Sequence, residues 1–148
     1  MLPCELTSRP RWVRWELQLR RGRMTKRPVT TWGTVASSTD PETWVSFGEA
    51  QASDVGHGVG FVLDGDGIAC FDLDHVLHDG VLDPAARQFI DTHEHFYVEV
   101  SPSGDGLHVW THAPAQRGWR RIVDGIHVEF YTRGRFMTVT GRRFDVAS

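Results

Sequence analysis

The segment Phe71-Asp72-Leu73-Asp74-His75 places two carboxylates one residue apart at the end of an apolar run. If that run is a β-strand, alternation sends Asp72 and Asp74 to one face and Phe71 and Leu73 to the other. Two like charges about 7 Å apart on one face repel each other unless a cation sits between them. An all-oxygen donor set of this kind suits Mg²⁺ or Mn²⁺, although two acids at a strand end can also simply face water. A second segment, Ser101-Pro102-Ser103-Gly104-Asp105-Gly106-Leu107-His108, joins hydroxyls, two glycines and an imidazole. Glycine tolerates positive φ and lets successive N–H groups turn toward an anion. Ser103, Gly104 and His108 are therefore candidates for a triphosphate cradle, and a plain glycine-rich hairpin turn fits the same residues. Such a loop is expected to be exposed. In a third segment, Gly125 to Tyr131, alternation points Ile126, Val128 and Phe130 into a core and sets His127, Glu129 and Tyr131 on the opposite face.

These segments need strands to hold them. Residues 12–19 alternate as a strand, whereas residues 20–38 are polar, contain Pro28 and Gly33, and predict an irregular connection. A helix is expected from Thr39 to about Ala52, with Thr39 and Glu42 at capping-box spacing and Pro41 in the first turn. Gly58 to Leu63 and Ile68 to Asp74 predict a hairpin about the turn Asp64-Gly65-Asp66-Gly67. Asp83-Pro84 opens a second helix ending near His93, and further strands are expected at 96–101, 107–112, 126–132 and 135–140. The class is α+β, with helices laid on a mainly antiparallel sheet.

At 148 residues and 16.7 kDa, the expectation is one domain with a single core. Hydrophobic residues make up 40% and charged residues 24%, which excludes a disordered chain. No apolar run approaches the roughly 20 residues of a membrane span, and no secretory signal opens the sequence. Two cysteines, Cys4 and Cys70, supply neither a disulfide framework nor a zinc site, so a reduced, cytoplasmic protein is expected. The net charge of −3 conceals a division. Residues 1–27 carry eight basic side chains against two acids, and 117–148 seven against three, while 28–116 have one, Arg87, against fourteen. An acidic centre between arginine-rich ends suits a protein that holds metal ions in one place and a polyanion beside them.

In order, an apolar strand with Asp72-x-Asp74, then Ser101-Pro-Ser-Gly-x-Gly-Leu-His108, then Val128-Glu129-x-Tyr131 with Arg135-Phe-x-Thr-Val-Thr-Gly141, resembles the bifunctional primase-polymerases of the archaeo-eukaryotic primase superfamily. The likeness extends to Trp12-Val-Arg-Trp15, Lys26-Arg27-Pro28, Trp44 and Gly58 to Val62, and so covers about residues 10–141 of a single catalytic domain, 1–148. It implies a small α/β unit joined to an RNA-recognition-motif-like sheet, with the site in the cleft between them. The implied activity is template-directed nucleotidyl transfer to a primer, with two divalent ions, Mg²⁺ or Mn²⁺, held by Asp72, Asp74 and Glu129. Ser103, Gly104 and His108 would hold the incoming nucleotide triphosphate, with Arg135 and Lys26 as further phosphate contacts. Implied partners are nucleotide triphosphates, a DNA template and primer, and a helicase or helical accessory domain outside this chain, in phage, plasmid or prophage replication. Lacking such a region, the chain is expected to extend primers rather than start them. Two alternatives are a catalytically inactive nucleotide- or DNA-binding relative and a haloacid-dehalogenase-like phosphatase with Asp72 as nucleophile. The latter needs a lysine after the motif, and the only lysine, Lys26, precedes it.

Overall fold

A computed structural model describes residues 1–146. The chain runs through α1 (Cys4–Thr7), β1 (Trp12–Arg20), β2 (Arg23–Val29), a 3₁₀ turn (Pro41–Thr43), α2 (Phe47–Ala52), β3 (Gly58–Asp64) and β4 (Ile68–Asp74). It continues through β5 (Leu77–His78), β6 (Val81–Leu82), α3 (Pro84–Thr92), β7 (Tyr97–Val100), β8 (Leu107–His112), β9 (Trp119–Val123), β10 (Ile126–Tyr131) and β11 (Arg133–Val139). The class is α+β, as expected, and the chain divides into two compact units.

One unit comprises residues 2–62 with 134–139 and contains a sheet in the order β11-β3-β1-β2. Strand β2 corrects the irregular connection expected there. Its exposed, charged residues show no apolar alternation because it is an outer strand, paired antiparallel with β1 from Arg14↔Val29 to Arg20↔Arg23. The helix expected over 39–52 is also corrected, to the 3₁₀ turn and the six-residue α2. Val45 breaks it by exchanging two backbone hydrogen bonds of 2.9 Å with Trp12. The capping box is Ser46 and Glu49 rather than Thr39 and Glu42. Ser46 Oγ accepts from Glu49 N–H at 3.2 Å and donates to the Glu49 carboxylate at 3.1 Å.

The other unit, residues 63–133 with the chain from Thr140, contains a sheet in the order β7-β8-β4-β10-β9. The expected hairpin of β3 and β4 is therefore not formed. Strand β3 pairs within the first sheet, and β4 lies between β8 and β10 in the second, so the chain changes sheets at the Asp64–Gly67 turn. Strand β9 was not expected, since its Arg120-Arg121 pair masks the alternation of an edge strand. Helix α3 starts as its sequence predicts, with the Asp83 carboxylate accepting from Ala85 N–H at 2.8 Å and Pro84 in the first turn. It buries Ala86, Phe89 and Ile90, the i, i+3, i+4 stripe, against one face of the sheet. There Phe71 meets Phe89 edge-on at 5.0 Å and Phe130 at 4.5 Å, beside Leu73, Val98, Val109 and Val128. Each such side chain removed from water contributes about 1.5–3 kcal/mol. Alternation then sets the partners of these residues, Asp72, His108 and Glu129 among them, on the opposite face. No helix among the described residues is long and apolar enough to cross a membrane.

Candidate metal centre

The central feature of this face is one row of side chains crossing all five strands. Strand registers place Glu99 opposite His108, His108 opposite Asp72, Asp72 opposite Glu129, and Glu129 opposite Arg120. Two residue pairs further along β4 and β10, and so on the same face, Asp74 lies opposite His127. Ligand-capable oxygens of Asp72, Asp74 and Glu129 lie within 4.8 Å of one another, and all three residues are half-buried. They line or adjoin a concavity of about 430 Å³, whose walls include Asp74, Glu129, His127, Arg120, Arg121 and Ile122.

Burial first, and the adjacent Glu129 charge second, hold the Asp74 carboxyl above the usual carboxylate range, while His75 and His127 pull it back. A carboxyl whose folded pKa exceeds its unfolded value of about 3.9 contributes its stability below that value and loses it as pH rises through the folded pKa. Metal-free Asp74→Asn is therefore expected to melt above the wild type at neutral pH, with the gap closing as pH falls toward 3. Melting curves at the two pH values check this, and a gap that does not change with pH contradicts it.

His108 is 3% exposed, not an open loop residue as its place after the glycine turn suggested. Its Nδ1 hydrogen-bonds the Glu99 carboxylate at 3.1 Å, and its Nε2 lies 3.8 Å from an oxygen of Asp72. Glu99 is fully buried and satisfied by four donors. Tyr97 O–H and Gly141 N–H reach one oxygen, both at 3.1 Å, while Thr140 N–H at 3.0 Å and the His108 ring reach the other. Since a carboxylate only accepts, Nδ1 donates this bond, and Nε2 is the atom presented to Asp72. On the far side of the row, Arg120 Nε donates to Glu129 at 2.7 Å and Tyr131 O–H donates to the same oxygen at 2.8 Å. The bond to Tyr131, then the Glu129 charge, raise the Arg120 pKa.

The loop before His108 is anchored from below. Val76 and Leu77 N–H both donate to the Asp105 carbonyl, at 2.8 and 2.9 Å. Gly106 is required by close approach, since a Cβ there would stand 2.7 Å from the Leu73 carbonyl and 2.9 Å from Ser101 Oγ. Gly104, at φ +87°, faces open space, and its N–H donates to the Ser101 carbonyl at 3.0 Å. Ser103 Oγ donates to the Asp105 carboxylate at 2.7 Å, and His75 Nδ1 contacts that carboxylate's other oxygen at 2.8 Å. These bonds hold Asp105 below the usual carboxylate range and His75 above the usual imidazole range.

Thus Asp72, Asp74, Glu129 and His108 come together in one unit, while Ser103 and Gly104 sit in the loop leading to His108. Arg135 and Lys26 belong to the other unit. Arg135 is exposed on β11, and Lys26 is exposed on β2 with its ammonium 5.8 Å from the Trp15 ring. Glu99, Arg120, Tyr131 and Asp105 were not singled out as site residues from the sequence. Glu99 had a signal there, as the lone acid in the apolar strand Tyr97-Val-Glu-Val100, facing His108 once the two strands flanking the glycine loop pair.

No family model matches the chain. It is 40% identical over 150 residues to a protein of Nitratiruptor phage NrS-1 named DNA primase-polymerase, a match that covers 95% of this chain. The chain spans about 20% of that relative's length. The resemblance drawn from the ordered motifs is thereby upheld along nearly the whole sequence.

Proposed function

We propose, on the premise that the chain is similar almost throughout to part of a phage DNA primase-polymerase, that it is a template-directed nucleotidyltransferase that extends a primer strand. The observation that carries this reading is the row in which three carboxylates converge beside a buried, carboxylate-oriented histidine. The donor set fits a hard divalent cation, being three carboxylates, with Asp74 raised first by burial and then by the Glu129 charge beside it. Asp72, Asp74 and Glu129 would hold Mg²⁺ or Mn²⁺, two ions as in the resembled family. When bound, the ions supply charge neutralisation at the reacting phosphate and activation of the primer hydroxyl.

The protein's own residues bind and orient. Glu99 fixes the His108 ring so that Nε2 faces the triphosphate beside Asp72. The Arg120 side chain, 77% exposed and paired with Glu129, would supply a guanidinium to a phosphate oxygen. Ser103 and the Gly104 turn meet the phosphates once Ser103 releases Asp105. Arg135 and Lys26 are proposed as further phosphate contacts on the likeness alone. DNA template, primer and nucleotide triphosphates are the substrates, in a replication setting that includes a helicase or helical accessory region elsewhere.

Titration of the chain with a non-hydrolysable deoxynucleotide triphosphate and Mn²⁺, followed by calorimetry, tests the nucleotide site. His108→Ala is expected to raise Kd at least tenfold while circular dichroism shows a folded protein. Removing a buried ring and one partner of Glu99 also costs about 2–4 kcal/mol of stability, so binding is compared well below the melting temperature. Equal affinities contradict the assignment, and release of phosphate from a simple monoester points instead to the phosphatase.

A further inference from the structure

The hairpin of β1 and β2 outruns its sheet. Strand β3 pairs with β1 only from Trp12 to Trp15, whereas β1 and β2 stay paired to Arg20↔Arg23. The five residue pairs beyond Trp15 form a two-stranded ribbon about 16 Å long at ~3.3 Å per residue. Its charge is one-sided, since residues 16–27 hold five basic side chains against the single acid Glu16, which Arg27 Nε bonds at 3.0 Å. Arg20, Arg21 and Arg23 at the tip are exposed and make no ion pair among the described residues. The turn itself is Arg21-Gly22 with φ of 51° and 77°, a geometry in which asparagine or glycine is the unstrained first residue. An arginine there accepts backbone strain to keep a third guanidinium at the tip.

The ribbon is also apolar where water should reach it. Leu19 is 68% and Met24 59% exposed, and they are cross-strand partners on one face, followed by Leu17. An isolated two-stranded ribbon is marginal in water and gains nothing from such side chains unless something covers them. Cations around exposed aliphatic groups match a phosphate-lined groove, and the major groove of a duplex admits a two-stranded ribbon. Single-strand binders use aromatic platforms, and residues 16–27 contain no aromatic side chain.

We propose that this ribbon docks against a nucleic-acid duplex, with Arg20, Arg21 and Arg23 on phosphates and Leu19 and Met24 packed against the groove. The inference rests on the polymerase reading only for the source of the duplex, the primer–template. Anisotropy with a labelled 20-base-pair duplex and the same-length single strand, over a range of salt, tests it on the whole chain. Arg20→Ala/Arg21→Gly/Arg23→Ala is expected to raise the duplex Kd at least tenfold and to lower the slope of log affinity on log salt by 2–3, at about 0.9 per phosphate contact. Leu19→Ser/Met24→Ser is expected to raise Kd with the slope unchanged. Neither variant should lower the melting temperature, since Arg21→Gly relieves the strained turn, and both should keep Mn²⁺-dependent nucleotide binding. An unchanged slope in the arginine variant, or a loss confined to the single strand, overturns the proposal. If the wild type extends primers while the arginine variant keeps its slope, only the ribbon assignment fails. If the ribbon governs duplex affinity but no nucleotide is ever added, only the polymerase reading fails.

Discussion

Asp72→Ala/Asp74→Ala is expected to lower metal-dependent nucleotide incorporation by ~10³-fold or more while leaving the protein folded. The size follows from what is removed: two of three acids that converge within 4.8 Å, which on the proposed reading hold the ions for phosphoryl transfer. Folding is spared because the carboxylates sit on the face opposite the Phe71–Leu73 core, and because removing like charges relieves repulsion in the metal-free protein. The metal-free variant should therefore melt at or above the wild type, and Mn²⁺ should no longer raise its melting temperature. Parallel incorporation assays and melting curves check both halves. An inactive variant that is also unfolded would leave Asp72 and Asp74 as structural acids.

The second large effect is expected at Glu99. Glu99→Gln keeps shape and burial but replaces one accepting oxygen with a donor, so at least one of the four donors facing it loses its partner. Breaking a buried charged network of this kind costs about 3–5 kcal/mol. The imidazole also loses the bond that orients it, and by analogy with second-layer partners elsewhere incorporation should fall about 10–100-fold. If Glu99 acts through His108, the loss appears in nucleotide KM and disappears in a His108→Ala background. Independent, additive losses in the double variant would mark Glu99 as a purely structural residue. Stability and KM measured on the four-variant cycle decide it.

The placement of the candidate site was legible in the sequence to the extent that strand alternation governs it. Asp72-x-Asp74 and Glu129 could be placed on faces because Phe71, Leu73, Val128 and Phe130 mark the core side unmistakably. Helix α3 was legible for a similar reason, since Asp83-Pro84 is a local start signal that tertiary contacts do not oppose. What escaped was whatever depends on pairing. Strands β2 and β9 are outer strands rich in arginine, so no apolar period announces them. The hairpin expected from Gly58 to Asp74 has flawless local turn chemistry. It is overridden because β4 finds apolar partners on both sides, in β8 and β10. Likewise the burial of His108 and its bond to Glu99 follow from the β7–β8 register, which no single segment reveals.

The most direct test of the central claim is single-nucleotide extension by the purified chain of a labelled primer annealed to four templates that differ only in the first unpaired base. Each deoxynucleotide triphosphate is offered in turn with Mg²⁺ or Mn²⁺. The predicted result is one added nucleotide whose identity follows the template base, dependent on the metal and absent in Asp72→Ala/Asp74→Ala. A chain that binds primer–template and nucleotide but adds nothing with either ion would contradict it and leave a binding module in its place.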